Sequence, residues 1–222
     1  MAKIVQDGAA AAGVDCTHDP VHHAAGEMNE LLGLAGFAFV GSITPGPNNS
    51  LLLASGIRFG FGRTVPHVAG TAVGMGALIL AVAAGIGVVV TEVPGAELAL
   101  KVVGSAYLVY LAFRIATTRG GGDRAVVSRP LGVLNGAAFQ FVNPKAWLFA
   151  LAAVGTFLPP GLAPVAGGLA VAATSAVVIL ATAAVWAAGG AALSRLDDGW
   201  AQRAVSVALA LLLAASVAFI WI

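Results

Sequence analysis

The chain has 222 residues, of which 59% are hydrophobic and 9% charged, with a mean hydropathy of +0.94 and a net charge of +1. Soluble globular domains carry about 25% charged residues, so a soluble enzyme or a nucleic-acid-binding domain is excluded. The expected class is an all-α integral membrane protein, with room for about six spanning helices at roughly 20 apolar residues each. A single cysteine, Cys16, rules out an intramolecular disulfide framework.

Residues 1–27 differ from the rest. They are rich in alanine and glycine, carry Asp7, Asp15, Asp19 and Glu27, and have Lys3 as their one basic residue. They lack the basic start and continuous apolar core of a signal peptide. Cys16, His18, Asp19, His22 and His23 are metal-ligand residue types, but such a tract is only a compositional signal. The expected organisation is a disordered tail over 1–27, or a segment upstream of a true start at Met28, and a transmembrane domain over 28–222.

The first apolar segment runs from about 31 to 54 and is interrupted by Thr44-Pro45-Gly46-Pro47-Asn48-Asn49. Each proline removes a backbone donor and clashes one turn back. In lipid such a break survives only when buried in protein or lining a wet cavity. The second segment covers about 65 to 90, where Gly70 and Gly74 have the spacing that lets helices approach closely. The third covers about 97 to 116, the fourth about 131 to 155, the fifth about 163 to 192 and the sixth about 203 to 222. The fourth holds a second break, Asn143-Pro144-Lys145.

Two proline-broken helices, the first and the fourth, lie about a hundred residues apart with three helices between their starts. That is the pattern of a 3+3 inverted repeat, whose binding site forms at the repeat interface. Lys145 falls deep in an apolar segment, where a charge costs about 2.5–3.5 kcal/mol on insertion scales. Its expected place is the bundle interior, against freed carbonyls, Asn48 or Asn143, where it binds a carboxylate or carries a proton; the bland alternative is snorkelling to an interface. Asn48 and Asn143 supply paired donors and acceptors or cap the half-helices. Gln140 shares a helix face with Asn143 and is a secondary candidate. His67 and the residues Tyr107, Tyr110, Trp186, Trp200 and Trp221 read as interfacial or packing residues.

Eight of the 11 basic residues, Arg58, Arg63, Arg114, Arg119, Arg124, Arg129, Arg195 and Arg203, fall in or beside loops one–two, three–four and five–six. The positive-inside rule puts that face in the cytoplasm and both termini outside.

Thr44 to Asn48, Gly60, Gly70 and Gly74, the run Lys101-x-x-Gly104-Ser105-Ala106-Tyr107-Leu108, and Asn143-Pro144-Lys145-Ala146 together resemble the LysE/RhtB family of amino-acid exporters. The resemblance covers about Met28 to the end. It implies a six-helix secondary exporter of amino acids in the bacterial inner membrane, driven by the membrane potential or a proton gradient, with no cofactor and no catalytic residue. Carried over residue by residue, the transport path comprises Thr44, Pro45, Gly46, Pro47 and Asn48 with Asn143, Pro144 and Lys145. The implied partners are an amino acid and the lipid bilayer, without nucleic acid; a homo-oligomer is compatible. A divalent metal-ion exporter and a non-transporting membrane scaffold are the alternatives. No aspartate or glutamate lies in the interior of a predicted span, which weighs against metal as cargo and provides no metal site.

Overall fold

The computed structural model describes residues 20–117 and 129–195, with scattered positions between 204 and 221. Cys16, His18 and Asp19 of the tail, and the loop over 118–128, lie outside the described residues. Two units divide the chain, Met1–Gly33 and Leu34–Ile222. The described part of the first is the opening of a helix.

Among the described residues all regular structure is helical. Helix α1 (Pro20–Ile43) and α2 (Pro47–Phe59) flank the first break. Only Gly60 separates α2 from α3 (Phe61–Ala81), and its φ of 78° is the left-handed backbone that favours glycine. A π-turn at Val82–Ile86 leads into the short α4 (Gly87–Glu92). Helix α5 spans Ala96–Thr117. Helices α6 (Val133–Val142) and α7 (Pro144–Phe157) flank the second break, and α8 covers Pro164–Leu193. The described positions between 204 and 221 are helical too. Helices α2, α7 and α8 each start on a proline, whose fixed φ suits the first turn, where a missing N–H goes unnoticed.

Phe61–Ile86 and Pro164–Leu193, at 26 and 30 residues, are each long and apolar enough to cross a membrane. The pair α6 and α7 reaches that length together, bent by 78° at Asn143. The second to fifth predicted segments begin and end within a few residues of the helices, and both predicted breaks interrupt helices where expected; the first helix instead starts at Pro20, well before the expected start at about Leu31.

Helix α8 packs along α2 and α3, and α3 packs along α6. One core joins Met75, Leu78 and Ile79 of α3 to Trp147 and Ala150 of α7 and Val171 and Ile179 of α8. A second joins Leu51 and Leu53 of α2 to Leu108 of α5 and Phe139 of α6. The closest approaches are backbone to backbone. A Cβ on Gly70 or Gly74 would lie 2.3 Å from the Val133 oxygen or 2.5 Å from that of Ala137. The Gly70/Gly74 spacing thus seats α6 inside the protein. Gly56 and Gly190 do the same for α2 and α8, each with 2.2 Å between such a Cβ and a facing carbonyl oxygen.

Candidate functional site

The first break begins where α1 ends at Ile43. Pro45 and Pro47 have no N–H to donate, so the last carbonyls of α1 need partners from elsewhere. Side chains supply them. Asn49 donates its amide nitrogen to the Ser42 oxygen at 2.7 Å and the Thr44 oxygen at 2.9 Å. Trp186 Nε1 of α8 donates to the Ile43 oxygen at 3.3 Å. Lys145 Nζ of α7 donates to the Thr44 oxygen at 2.8 Å and the Pro45 oxygen at 3.3 Å. The Thr44 hydroxyl turns back to the Val40 oxygen.

The second break is tighter. Asn143 ends α6 and caps α7, its side-chain oxygen accepting from the Lys145 backbone N–H at 3.2 Å. Trp147 Nε1 donates to the Phe141 oxygen at 2.8 Å, taking a carbonyl that α6 leaves open. Asn143 therefore has the capping role and Asn48 does not. Asn48 sits one residue inside α2, buried, and its Oδ1 accepts from Gln140 Nε2 at 3.1 Å and from Thr71 Oγ1 at 3.3 Å.

The two breaks hold each other reciprocally. Pro47 and Pro144 are the first residues of α2 and α7, and Asn48 and Lys145 follow them. Lys145 reaches across to the end of α1; Asn48 receives Gln140 from near the end of α6. Between them lies a cavity of about 60 Å³. At roughly 15 Å³ per water it holds about four waters, or the polar end of a small ligand. Gly46, Pro47, Asn48, Gln140, Asn143 and Lys145 line it. Thr44, Pro45 and Pro144 do not, although the first two hold Lys145 and the third is buried against α5: a Cβ on Gly104 would lie 2.2 Å from its Cγ.

The two helix starts facing this cavity differ. The amide at the start of α7 is satisfied by Asn143. Gly46 precedes α2 and has no side chain to cap it, and among the described residues no hydrogen bond is made to the backbone N–H of Asn48 or Asn49. An uncapped helix start carries open donors and about half a positive charge. Beside it, two of the three Lys145 protons go to carbonyls, which leaves the third. This corner of the cavity suits an anionic group such as a carboxylate.

Acceptors lie on the other side. Asn49 spends both amide protons on carbonyls, and its Oδ1 has no donor among the described residues. The hydroxyls of Ser42 and Thr182 meet at 2.8 Å, and both line the cavity. Asn49, Thr71, Ser42 and Thr182 were not among the candidates from sequence. Asn49 had a signal, since it adjoins the motif. The three hydroxyl residues are single polar positions in apolar runs, which spacing alone does not connect. His67 differs from its interfacial reading: it is fully buried on α3 against α6, with neither ring nitrogen bonded among the described residues.

Among known proteins, a family model described as LysE type translocator matches residues 38–220. The cysteine/O-acetylserine efflux proteins of Escherichia coli (strain K12), Escherichia coli O1:K1 and Shigella sonnei (strain Ss046) are each 31% identical over 178 residues. The match covers 80% of this chain and 90% of each relative. No solved structure matches.

Proposed function

The chain belongs to the LysE type translocator family, and we propose on that basis that it is a secondary exporter of small neutral amino acids of the cysteine and O-acetylserine kind. It is a transporter of the bacterial inner membrane. The observation that carries the substrate class is the uncapped start of α2 beside Lys145. The substrate carboxylate rests on the amides of Asn48 and Asn49 and takes the third Lys145 proton. Its ammonium group faces Asn49 Oδ1 and the Ser42 and Thr182 hydroxyl oxygens. A carboxylate and an ammonium on one carbon are what a free α-amino acid offers. The names of the relatives support a small side chain, and so does a cavity of about 60 Å³.

In this reading residues 28–222 form six spans in a 3+3 inverted repeat, with both termini outside. The equivalent positions of Pro47 and Pro144 support the repeat. Alternating access then follows from rocking one half against the other, which separates Lys145 from α1 and Asn48 from Gln140. The membrane potential or a proton gradient drives the cycle. Thr44, Pro45 and Pro144 serve as the frame of the site, and Gly46, Pro47, Asn48, Asn143 and Lys145, with Gln140, as its wall.

The test is efflux from vesicles preloaded with a panel of labelled amino acids and one divalent metal. Cysteine and O-acetylserine should leave fastest. Export of the metal alone, or of nothing, returns the choice to a metal exporter or a scaffold. Lys145→Met and Asn48→Ala should each slow amino-acid efflux by at least about tenfold, the equivalent of 1.4 kcal/mol. Unchanged rates in both would remove these residues from the path.

A further inference from the structure

The carbonyl end of α1 is built as a cation site. It carries the negative pole of a helix, and the prolines that follow donate no N–H. In transporters with broken helices, the carbonyls freed at such an end are where a coupling cation binds. Here the oxygens of Thr44 and Pro45 converge on a single positive group, the Lys145 ammonium, at 2.8 and 3.3 Å. That group arrives from the other break, about a hundred residues away in the chain. Its route passes close to Gly46: a Cβ there would lie 3.0 Å from Lys145 Cδ and 3.1 Å from Nζ.

We propose that the Thr44 and Pro45 carbonyls form a monovalent-cation site that Lys145 fills as a tethered cation, so that a small free cation takes the place when the lysine side chain is removed. The proposal deepens the transport reading of this cavity in its efflux arm, while its binding arm stands without that reading. A tethered ammonium delivers the positive charge at each turn of the cycle and is never released. It withdraws from α1 when the two breaks separate and returns when they close. The site's class of ligand is a primary ammonium or an alkali cation, because two carbonyl oxygens and a helix pole offer acceptors and no anionic ligand for a divalent ion.

The binding arm uses purified protein in detergent, with thermal unfolding followed in methylammonium, sodium or choline chloride at equal ionic strength. Methylammonium or sodium should raise the midpoint of Lys145→Ala saturably, by roughly 2–4 °C. Choline, which is too bulky to reach the carbonyls, should not, and the wild type should respond to none of the three. Lys145→Gln keeps most of the side-chain volume without the charge and serves if Lys145→Ala does not fold. The efflux arm repeats the series in vesicles loaded with labelled cysteine. Lys145→Ala should lose about tenfold in choline and regain at least about threefold in methylammonium. A midpoint that responds equally in wild type and variants, or in neither, overturns the cation site. Cation-dependent stabilisation of the variant with no cysteine efflux even from the wild type keeps the site and overturns the exporter reading.

Discussion

Asn48 accepts two hydrogen bonds on one oxygen, while its backbone N–H has no partner among the described residues. The two donors are not equally dependent on it. Thr71 also reaches the His67 oxygen at 3.0 Å, whereas Gln140 has one proton for Asn48 and one for the Gly136 oxygen. Asn48→Ala therefore strands one buried Gln140 proton, a loss of about 1–3 kcal/mol. Asn48→Asp separates stability from transport. Its carboxylate still accepts from Gln140 and sits well at a helix start, so the unfolding midpoint should stay near the wild-type value. The same charge repels a substrate carboxylate and offers Lys145 an alternative partner. Efflux of labelled cysteine by Asn48→Asp should fall at least about tenfold. If Asn48→Asp unfolds early and exports normally, Asn48 is a structural residue. The sequence marks Asn48, Asn143, Gln140 and Lys145 because polar groups beside prolines are conspicuous in an apolar run. It does not reveal that Asn143 caps a helix while Asn48 joins three, because the partners Thr71 and Gln140 lie 23 and 92 positions away.

At the scale of the element, α2 and α7 start alike on a proline and differ in the residue before it. Asn143 caps α7, so Asn143→Ala should lower stability by about 1 kcal/mol and shift the midpoint by roughly 2–4 °C. Gly46 leaves α2 open. Its backbone is extended, with φ near −176°, which any residue can adopt. Gly46→Ser should fold at least as well as the wild type, because serine at this position gains a few tenths of a kcal/mol over glycine. The new hydroxyl accepts from the amides that the carboxylate needs, and its Cβ crowds the end of Lys145. Efflux should fall while the unfolding midpoint holds or rises; a variant that exports at the wild-type rate would show the open helix start to be incidental. The glycines that join helices behave oppositely. Gly56→Ala and Gly190→Ala force a Cβ to within 2.2 Å of a backbone oxygen and should lower the midpoint clearly. Gly62→Ala, with nothing within 4 Å, should gain roughly 0.5–1 kcal/mol from the better helix former. Sequence spacing reveals Gly70 and Gly74, since four residues make one turn of a helix face. Gly56 and Gly190 lie 134 positions apart, and neither forms a pattern on its own.

For the molecule as a whole, the second to fifth helical segments were legible because hydrophobic run length and proline breaks act locally. Which helices touch was not, because in lipid every apolar face is equally content against a neighbour or an acyl chain. Small residues and buried polar groups decide it, and those act in pairs distant along the chain, such as Trp186 with Ile43 and Trp221 with Ser105. Charge alone predicts the orientation. Eight of the 11 basic residues fall on one predicted face, and loop arginines set orientation during insertion. In the proposed 3+3 arrangement the two breaks enter the membrane from opposite sides, and the proposed rocking motion would expose the cavity first to one face and then to the other. Single cysteines in a Cys16→Ser background decide it. Gly121→Cys, in the arginine-rich loop, should resist an impermeant maleimide in intact cells and react once they are permeabilised. Val93→Cys, between the second and third predicted spans, should react in intact cells. If the two reactivities are exchanged, the protein sits inverted, with both termini in the cytoplasm. If both react in intact cells, the loops share a face, the third segment does not cross once, and the paired-break geometry is not an inverted repeat.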